Sequence, residues 1–397
     1  MLPLEEAQAR LLAHARPISV ERVALADAAG RVLADPRIVA AVDVPAFANS
    51  SMDGFALRAA DAPGVLRVAG EIAAGVSTLP SVEAGTAVRI MTGAPLPPGA
   101  DAVVPIEDVA ESDGVVSVPA PISPGAFVRA AAHDTHVGDE VLLAGPLSPA
   151  RLAVLASLGI GEVDVRRRPV VAILSTGDEL VAAGDPLRPG QIHDANGPAL
   201  AAAVTDAGGE PRLLERVGDD PEAIERVLHA ATASADLVVT SGGVSVGRHD
   251  HVRSVLEQHG SLDFWRIAVQ PGKPLAVGEL DGTTIIGLPG NPVSALVTFE
   301  LFARPVIRTM LGLSGDGRLR VRADVSERMP KDGGRRAFLR VVLSGTDDGY
   351  LARLAGGQQS SQLRPMADAN ALLVVPESAD AAEPGSSYEA IVLEPPP

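Results

Sequence analysis

Apolar residues recur at helical spacing over residues 4–15 and stop before Pro17, whose ring disfavours helix at the residue before it, so a short amphipathic helix is expected there. From Arg37 to about Val128 the pattern changes to short apolar runs, Val65-Leu66-Arg67-Val68 and Thr86-Ala87-Val88-Arg89-Ile90 among them, punctuated by Gly and Pro. That grammar predicts a small β-rich domain. The proline-rich stretches 94–99 and 119–125 belong in loops, because proline donates no ladder hydrogen bond. Residues 148–158 read as a helix, with Ser148 as its cap, Pro149 in its first turn and Gly159 as its stop.

Beyond the basic hinge Arg166-Arg167-Arg168-Pro169, buried-type strands alternate with helical stretches. Strands are expected at 169–174, 211–217, 236–240 and 283–288, and helices at 198–207, 221–233, 250–258 and 292–311. Such alternation predicts a doubly wound α/β domain with a parallel sheet and helices on both faces. From about Gly312 the runs Arg318-Leu319-Arg320-Val321 and Phe338-Leu339-Arg340-Val341-Val342-Leu343 return to β character, so a small C-terminal β domain follows.

Composition narrows the function. A chain of 397 residues is long enough for several cores, and three or four domains are expected. A net charge of −17 argues against a general nucleic-acid binder, which would need a basic face. With no cysteine, thiolate metal sites and cysteine nucleophiles are excluded, and a reducing compartment is compatible. The start Met1-Leu2-Pro3-Leu4-Glu5-Glu6 lacks a signal-peptide pattern and no apolar run is long enough to span a bilayer, so a cytoplasmic protein with no membrane partner is expected. Only Lys273 and Lys331 among the 33 basic residues are lysine, and the chain has only four asparagines, so those rare residues carry extra information.

In an open α/β sheet, ligands collect beyond the carboxyl ends of the strands. Three unusual loops fall at such places. Ser175-Thr176-Gly177-Asp178-Glu179 offers hydroxyls, a glycine and two carboxylates for a cation or a proton, although a helix cap would use the same residues. Ser241-Gly242-Gly243-Val244-Ser245, running on through Gly247-Arg248-His249 to Asp250, suits a backbone-amide cradle for phosphate. Asp250 could cap the next helix or hold Mg²⁺ against a bound anion. Pro289-Gly290-Asn291-Pro292-Val293-Ser294 precedes a helix whose free N–H groups and positive dipole end favour an anion. Each loop alone has a plain turn-and-cap explanation; their convergence is the signal. Lys273, in Gln270-Pro271-Gly272-Lys273-Pro274, and Arg248 and Arg266 are the candidate cations. Neither a Walker A run nor a dinucleotide fingerprint is present. In the β-rich segment, Asp53-Gly54 reads as a hairpin turn that displays a carboxylate, and Thr92 supplies another hydroxyl.

Taken in order, Ser51-Met52-Asp53-Gly54, Met91-Thr92-Gly93-Ala94, Ser175-Thr176-Gly177-Asp178-Glu179-Leu180, Gly190-Gln191-Ile192-His193-Asp194, Thr240-Ser241-Gly242-Gly243-Val244-Ser245-Val246-Gly247, Pro271-Gly272-Lys273-Pro274 and Leu288-Pro289-Gly290-Asn291-Pro292-Val293-Ser294 resemble the molybdopterin molybdenumtransferase family, of the MoeA and gephyrin E-domain type, across essentially the whole chain. The resemblance implies four parts: a discontinuous linker domain (1–47 and 129–168), an inserted β-rich domain (48–128), the α/β molybdopterin-binding domain (169–312) and a C-terminal β-barrel-like domain (313–397). It implies a homodimer in which Asp53, Thr92, Arg129 and Asp134 of one subunit reach the other's α/β domain. Glu179, Asp250 and Lys273 would belong to the α/β cleft, and Arg340 with Ser360 or Ser361 to the C-terminal contribution. The implied chemistry is insertion of molybdate into adenylylated molybdopterin with Mg²⁺ and release of AMP, with Asp53, Asp178, Glu179 and Asp250 binding metal or managing protons and Asp178 and Asp250 as the metal carboxylates. Partners among other molybdenum-cofactor biosynthesis proteins are implied too. Three other readings stand beside it: a molybdopterin adenylyltransferase-like enzyme, a catalytically idle scaffold of the same fold, and a sugar- or nucleotide-phosphate hydrolase using the same anion loops. The chain departs from the family pattern at Arg248, where an acid is common, at Gln270, where a second lysine is frequent, and at Ala130-Ala131-Ala132, where more basic residues often stand.

Overall fold

The computed structural model describes residues 1–73, 75, 79–242 and 251–395. It divides into two compact units, residues 22–165 and residues 1–21 with 166–397.

In the unit of residues 22–165 a six-stranded sheet runs in the order Ala102–Pro105, Gly54–Leu57, Thr86–Ile90, Gly64–Ile72, Val115–Val118, Ala110–Ser112. Its residues alternate between two cores, as the two-residue side-chain period of a strand requires: Phe55 and Leu57 enter one, Ala56, Val88 and Ile90 the other. Asp53-Gly54 is not the hairpin turn that its sequence predicts. Gly54 opens the strand, paired with Pro105 and Ile90, and a Cβ there would lie 1.9 Å from the Val104 carbonyl oxygen. The glycine serves a close backbone approach between two strands. A four-stranded sheet joins Val20–Ala24, Glu162–Arg166, Val32–Val39 and Glu140–Pro146. The helix Pro149–Ser157 starts as expected, the Arg151 N–H donating to the Ser148 hydroxyl at 3.4 Å.

The other unit holds the α/β domain. Its sheet runs Glu210–Leu213, Val170–Ser175, Leu237–Ser241, Thr283–Leu288, Pro274–Leu280, Ser261–Arg266. The first four strands are parallel; Pro274–Leu280 runs antiparallel to its neighbours on both sides, and Ser261–Arg266 beyond it returns to the direction of the first four, so the sheet is mixed rather than wholly parallel. The reason is a two-residue hairpin. Asp281 (φ +53°) and Gly282 (φ +81°) form the turn between Pro274–Leu280 and Thr283–Leu288, both in the left-handed region that such turns require. Asp-Gly between two apolar runs was the signal for it.

Alternate residues of the central strands fill both faces. Ala172, Leu174, Val238 and Ile285 pack with the helices Pro221–Thr232 and His251–His259, while Val171, Ile173, Val239 and Ile286 are also fully buried. The helix expected at 292–311 is interrupted: α-helix over Pro292–Thr298, π-helix over Phe299–Ala303, and α-helix again over Arg304–Met310. Pro305 lacks the N–H that would bond Leu301, four residues earlier, and the Leu301 carbonyl accepts from the Gln8 side-chain amide instead, at 2.8 Å. Gln8 lies on the N-terminal helix Leu4–Leu12, shorter than the periodicity predicts.

The C-terminal strands close into a barrel in the order Arg336–Thr346, Gly349–Leu354, Arg320–Val325, Ser387–Val392, Ala371–Val375, the last pairing back on the first. The Asn370 side chain bonds both backbone groups of Leu343, at 2.7 and 3.1 Å. The short strand Val269–Gln270 adds to Arg336–Ala337 in parallel, which fixes the Gln270–Pro274 segment beside the barrel. No helix among the described residues is long and apolar enough to cross a membrane.

Candidate active site

The second and third strand-end loops meet through a side chain. Asn196, at the start of the helix Asn196–Ala207, donates its amide to the Ser241 hydroxyl at 2.5 Å and to the Gly290 carbonyl at 2.8 Å. It therefore ties the second loop to the third. Asn291 sits at the cap position of the helix that begins at Pro292 without capping it; its amide donates to the Ser360 hydroxyl of the barrel domain at 3.2 Å.

Between them lies a cavity of about 620 Å³. Of the residues predicted from sequence, Gly242, Lys273, Pro289, Gly290, Asn291, Ser294 and Ser360 line it. Gly272 (φ +100°) puts the lysine there: a Cβ at this position would come within 2.3 Å of the Thr298 methyl, so the turn packs on the helix below it as only glycine can. Among the described residues the exposed Lys273 ammonium has no partner. Ser294 is buried, and its carbonyl accepts from Thr298 at 2.7 Å.

Ser175 and Thr176, buried at the end of Val170–Ser175, stand outside the cavity wall, as do Gly177, Asp178, Glu179 and Ser241. The Ser175 and Thr240 hydroxyls are buried without partners among the described residues. The first loop caps no helix; it passes into the short strand Leu180–Val181, and one Asp178 carboxylate oxygen accepts from the Asp219 N–H at 2.9 Å. Gly243, Ser245, Arg248 and Asp250 lie outside the described residues. Arg266 is exposed at the end of its strand and is not in the wall.

Arg340 stands beneath the barrel loop rather than in the cavity wall. Its side chain is 1 % exposed, its Nη2 donates to the carbonyls of Gly357 (3.0 Å) and Gln359 (3.2 Å), and its Nε has no partner among the described residues. Burial lowers its pKa to about 10. The Gln358 side chain braces the same backbone, accepting from the Arg340 N–H at 2.9 Å and donating to its carbonyl at 3.1 Å. Arg340 thus shapes the loop that presents Ser360. Ser361, unlike Ser360, is not in the wall.

In the unit of residues 22–165 the remaining candidates are exposed. One Asp53 carboxylate oxygen accepts from both the Thr92 N–H (2.6 Å) and the Thr92 hydroxyl (2.9 Å). These two donors, the backbone one first, hold the Asp53 pKa below the ordinary carboxylate range. Arg129 pairs with Asn49 in the short ladder Val128–Arg129 with Asn49–Ser50, and Asn49 also bridges to Pro95. The Asp134 N–H donates to the Val44 carbonyl at 2.9 Å, and its carboxylate accepts from Thr135 at 3.3 Å.

Sequence reasoning missed Asn196, Gln358 and Gln359, and it missed Asp332 and Arg335, which share the cavity wall with Gln270. Asn196 could have been found, being one of four asparagines and standing at a helix start. Arg335 had no such signal in an arginine-rich chain.

A glycine- and amide-lined cavity between strand-end loops and a small barrel marks a multidomain protein of α/β type with its candidate site where ligands of such sheets collect. Its parts match known families: residues 2–159 match the MoeA N-terminal region (domain I and II), residues 172–309 a probable molybdopterin binding domain, and residues 322–393 the MoeA C-terminal region (domain IV). The chain is 40% identical over 387 residues to molybdopterin molybdenumtransferase 2 of Mycobacterium tuberculosis, covering 93% of each chain. It is 42% identical over 317 residues to the molybdopterin molybdenumtransferase of Haemophilus influenzae, covering 79% of this chain and 78% of that one. Among solved structures, a molybdopterin biosynthesis MoeA protein from Pyrococcus horikosii superposes with a TM-score of 0.84 at 33% identity, covering 100% of both chains. The chain belongs to the molybdopterin molybdenumtransferase family of molybdenum cofactor biosynthesis.

Proposed function

We propose that this protein inserts molybdenum into molybdopterin, taking molybdate and adenylylated molybdopterin as substrates and releasing AMP. The observation that carries the reading is one cavity lined by Lys273, by the Gly290-Asn291 loop and by Ser360. Two anions must be held side by side there. Backbone amides and a lysine offset their repulsion, and the fixed loops hold them in orientation, so the protein's own contribution is positioning and electrostatic stabilisation.

Mg²⁺ is proposed as the cation. Among the described residues no group of three or more His, Asp or Glu side chains could hold a metal ion. A magnesium ion typically rests on substrate oxygens with one or two protein carboxylates. Asp178 and Asp250 remain the proposed carboxylates, and bound there the ion would supply charge neutralisation. Asp53, Asp134 and Glu179 are proposed to manage protons, with Thr92, Arg129 and the strand-end hydroxyls binding substrate.

A homodimer with a shared site is proposed as well. Asp53, Thr92, Arg129 and Asp134 are exposed in the unit of residues 22–165, free to serve a neighbouring subunit. The four-part division into 1–47 with 129–168, 48–128, 169–312 and 313–397 is kept as the proposed domain organisation, and the cytoplasm as the proposed compartment, consistent with the absence of cysteine. The decisive experiment supplies purified protein with adenylylated molybdopterin, molybdate and Mg²⁺, reading AMP release and activation of an apo-molybdoenzyme. Activation is expected; neither AMP nor activation would overturn the reading.

A further inference from the structure

Two anions in one cavity call for more than one positive charge, and the chain has glutamine, not lysine, at position 270. Gln270 is nevertheless committed to a contact. Its Oε1 accepts from the Asp332 N–H at 3.0 Å, and its backbone pairs in parallel with Ala337, one residue after Val269 pairs with Arg336. Residue 270 thus grips both ends of the turn 332–335. Within that turn the Asp332 carboxylate pairs with Arg335 Nη2, and the Lys331 ammonium donates to the carbonyls of Asp332 (3.2 Å) and Arg335 (2.8 Å). Arg335 lines the same cavity as Lys273.

Resting on the function proposed above, we infer that Arg335 is the second cation of the cavity, an oxyanion-binding residue, and that Gln270 is the positioning residue that holds its turn. The Arg335 side chain is 22% exposed and Asp332 65%, so the guanidinium is packed in place while its counter-ion faces water. An exposed ion pair of this kind is weak and screened. It orients Arg335 through one of five N–H donors, and among the described residues the other donors have no partner. A planar fork of that kind fits two oxygens of a tetrahedral oxyanion, molybdate or a phosphate ester, where an ammonium is only a point charge. A neutral residue in the cavity wall thus supports the turn that carries the charge.

The test is calorimetric titration of the full-length protein with molybdate and, separately, with inorganic phosphate. Arg335→Met is expected to weaken binding by roughly tenfold, in keeping with loss of a charge-assisted hydrogen bond, and Arg335→Lys by less. If the molybdate titration alone responds, Arg335 serves the metal oxyanion; if phosphate alone responds, it serves the phosphate ester. Gln270→Met, which removes the acceptor and keeps the bulk, is expected to weaken binding in the same titration, and adding it to Arg335→Met to cost little more. Gln270→Lys restores a cation directly, so the Arg335→Met loss should shrink on that background, a rescue that a merely structural role would not give. Wild-type affinity for both anions in Arg335→Met overturns the inference and leaves the function standing. A wild-type chain that binds neither anion overturns both. An unfolded Arg335→Met leaves Arg335→Lys and Gln270→Met to decide, and unchanged affinities in those two overturn the inference equally.

Discussion

The Asn291 side-chain amide donates to the Ser360 hydroxyl at 3.2 Å, joining a loop of the α/β domain to a loop of the barrel across the mouth of the cavity. Asn291 holds the position from which it could cap its helix, yet it reaches away to the barrel. The link is a single neutral hydrogen bond between exposed side chains. Asn291→Ala should therefore cost the fold only about 1 kcal/mol by denaturant titration. Molybdenum transfer should fall more, by roughly tenfold in kcat/KM, because misplacing a loop in a positioning site is felt in the chemistry. Equal, small effects on both would show that the link positions nothing.

Gly54 allows no side chain. A Cβ there would stand 1.9 Å from the Val104 carbonyl oxygen, a backbone atom that cannot swing aside. Gly54→Ala should destabilise the protein by about 3 kcal/mol, the upper end for overpacking, and lower its melting temperature. A near-neutral melting curve would refute the close-approach account of Asp53-Gly54.

The Asp53 carboxyl should titrate below the ordinary value of about 3.9, since Thr92 donates twice to its charged form. A depressed acid pKa contributes stability above the unfolded-state value and loses it as pH falls through the folded-state value, so the contribution fades only in acid below about pH 4. At neutral pH Asp53 is ionised. Carbon-13 NMR titration should show the midpoint rising in Thr92→Val, which removes the hydroxyl donor and keeps the backbone one. An unmoved midpoint would mean that the hydroxyl contributes nothing.

Gln8 and Pro305 should be coupled. Gln8→Ala leaves the Leu301 carbonyl without its donor and should cost about 1–2 kcal/mol. In a Pro305→Ala background residue 305 regains an N–H, and the cost of Gln8→Ala should shrink, as a double-mutant cycle would read. Additive effects would sever the proline from the π turn.

Much of the secondary structure was legible locally. The strand Thr283–Leu288 falls where the apolar run places it, and the helices at Pro149, Pro221 and Pro292 begin where proline fixes the first turn. The candidate loops were legible because glycine, hydroxyl and proline chemistry clusters at strand ends. The antiparallel fifth strand is written in Asp281-Gly282, a hairpin signal that the alternation of strands and helices around it masks.

What the sequence determined by itself was whatever a few consecutive residues dictate: period, caps, turns and the motifs that name the family. Tertiary structure alone decided that Asn196 links Ser241 to Gly290, that Arg340 lies under the barrel loop and that Gln270 steadies the turn bearing Arg335. Those contacts join residues from 17 to 94 positions apart. No local preference encodes such a pairing, because burial and hydrogen-bond satisfaction are settled only when distant strands and loops are packed together.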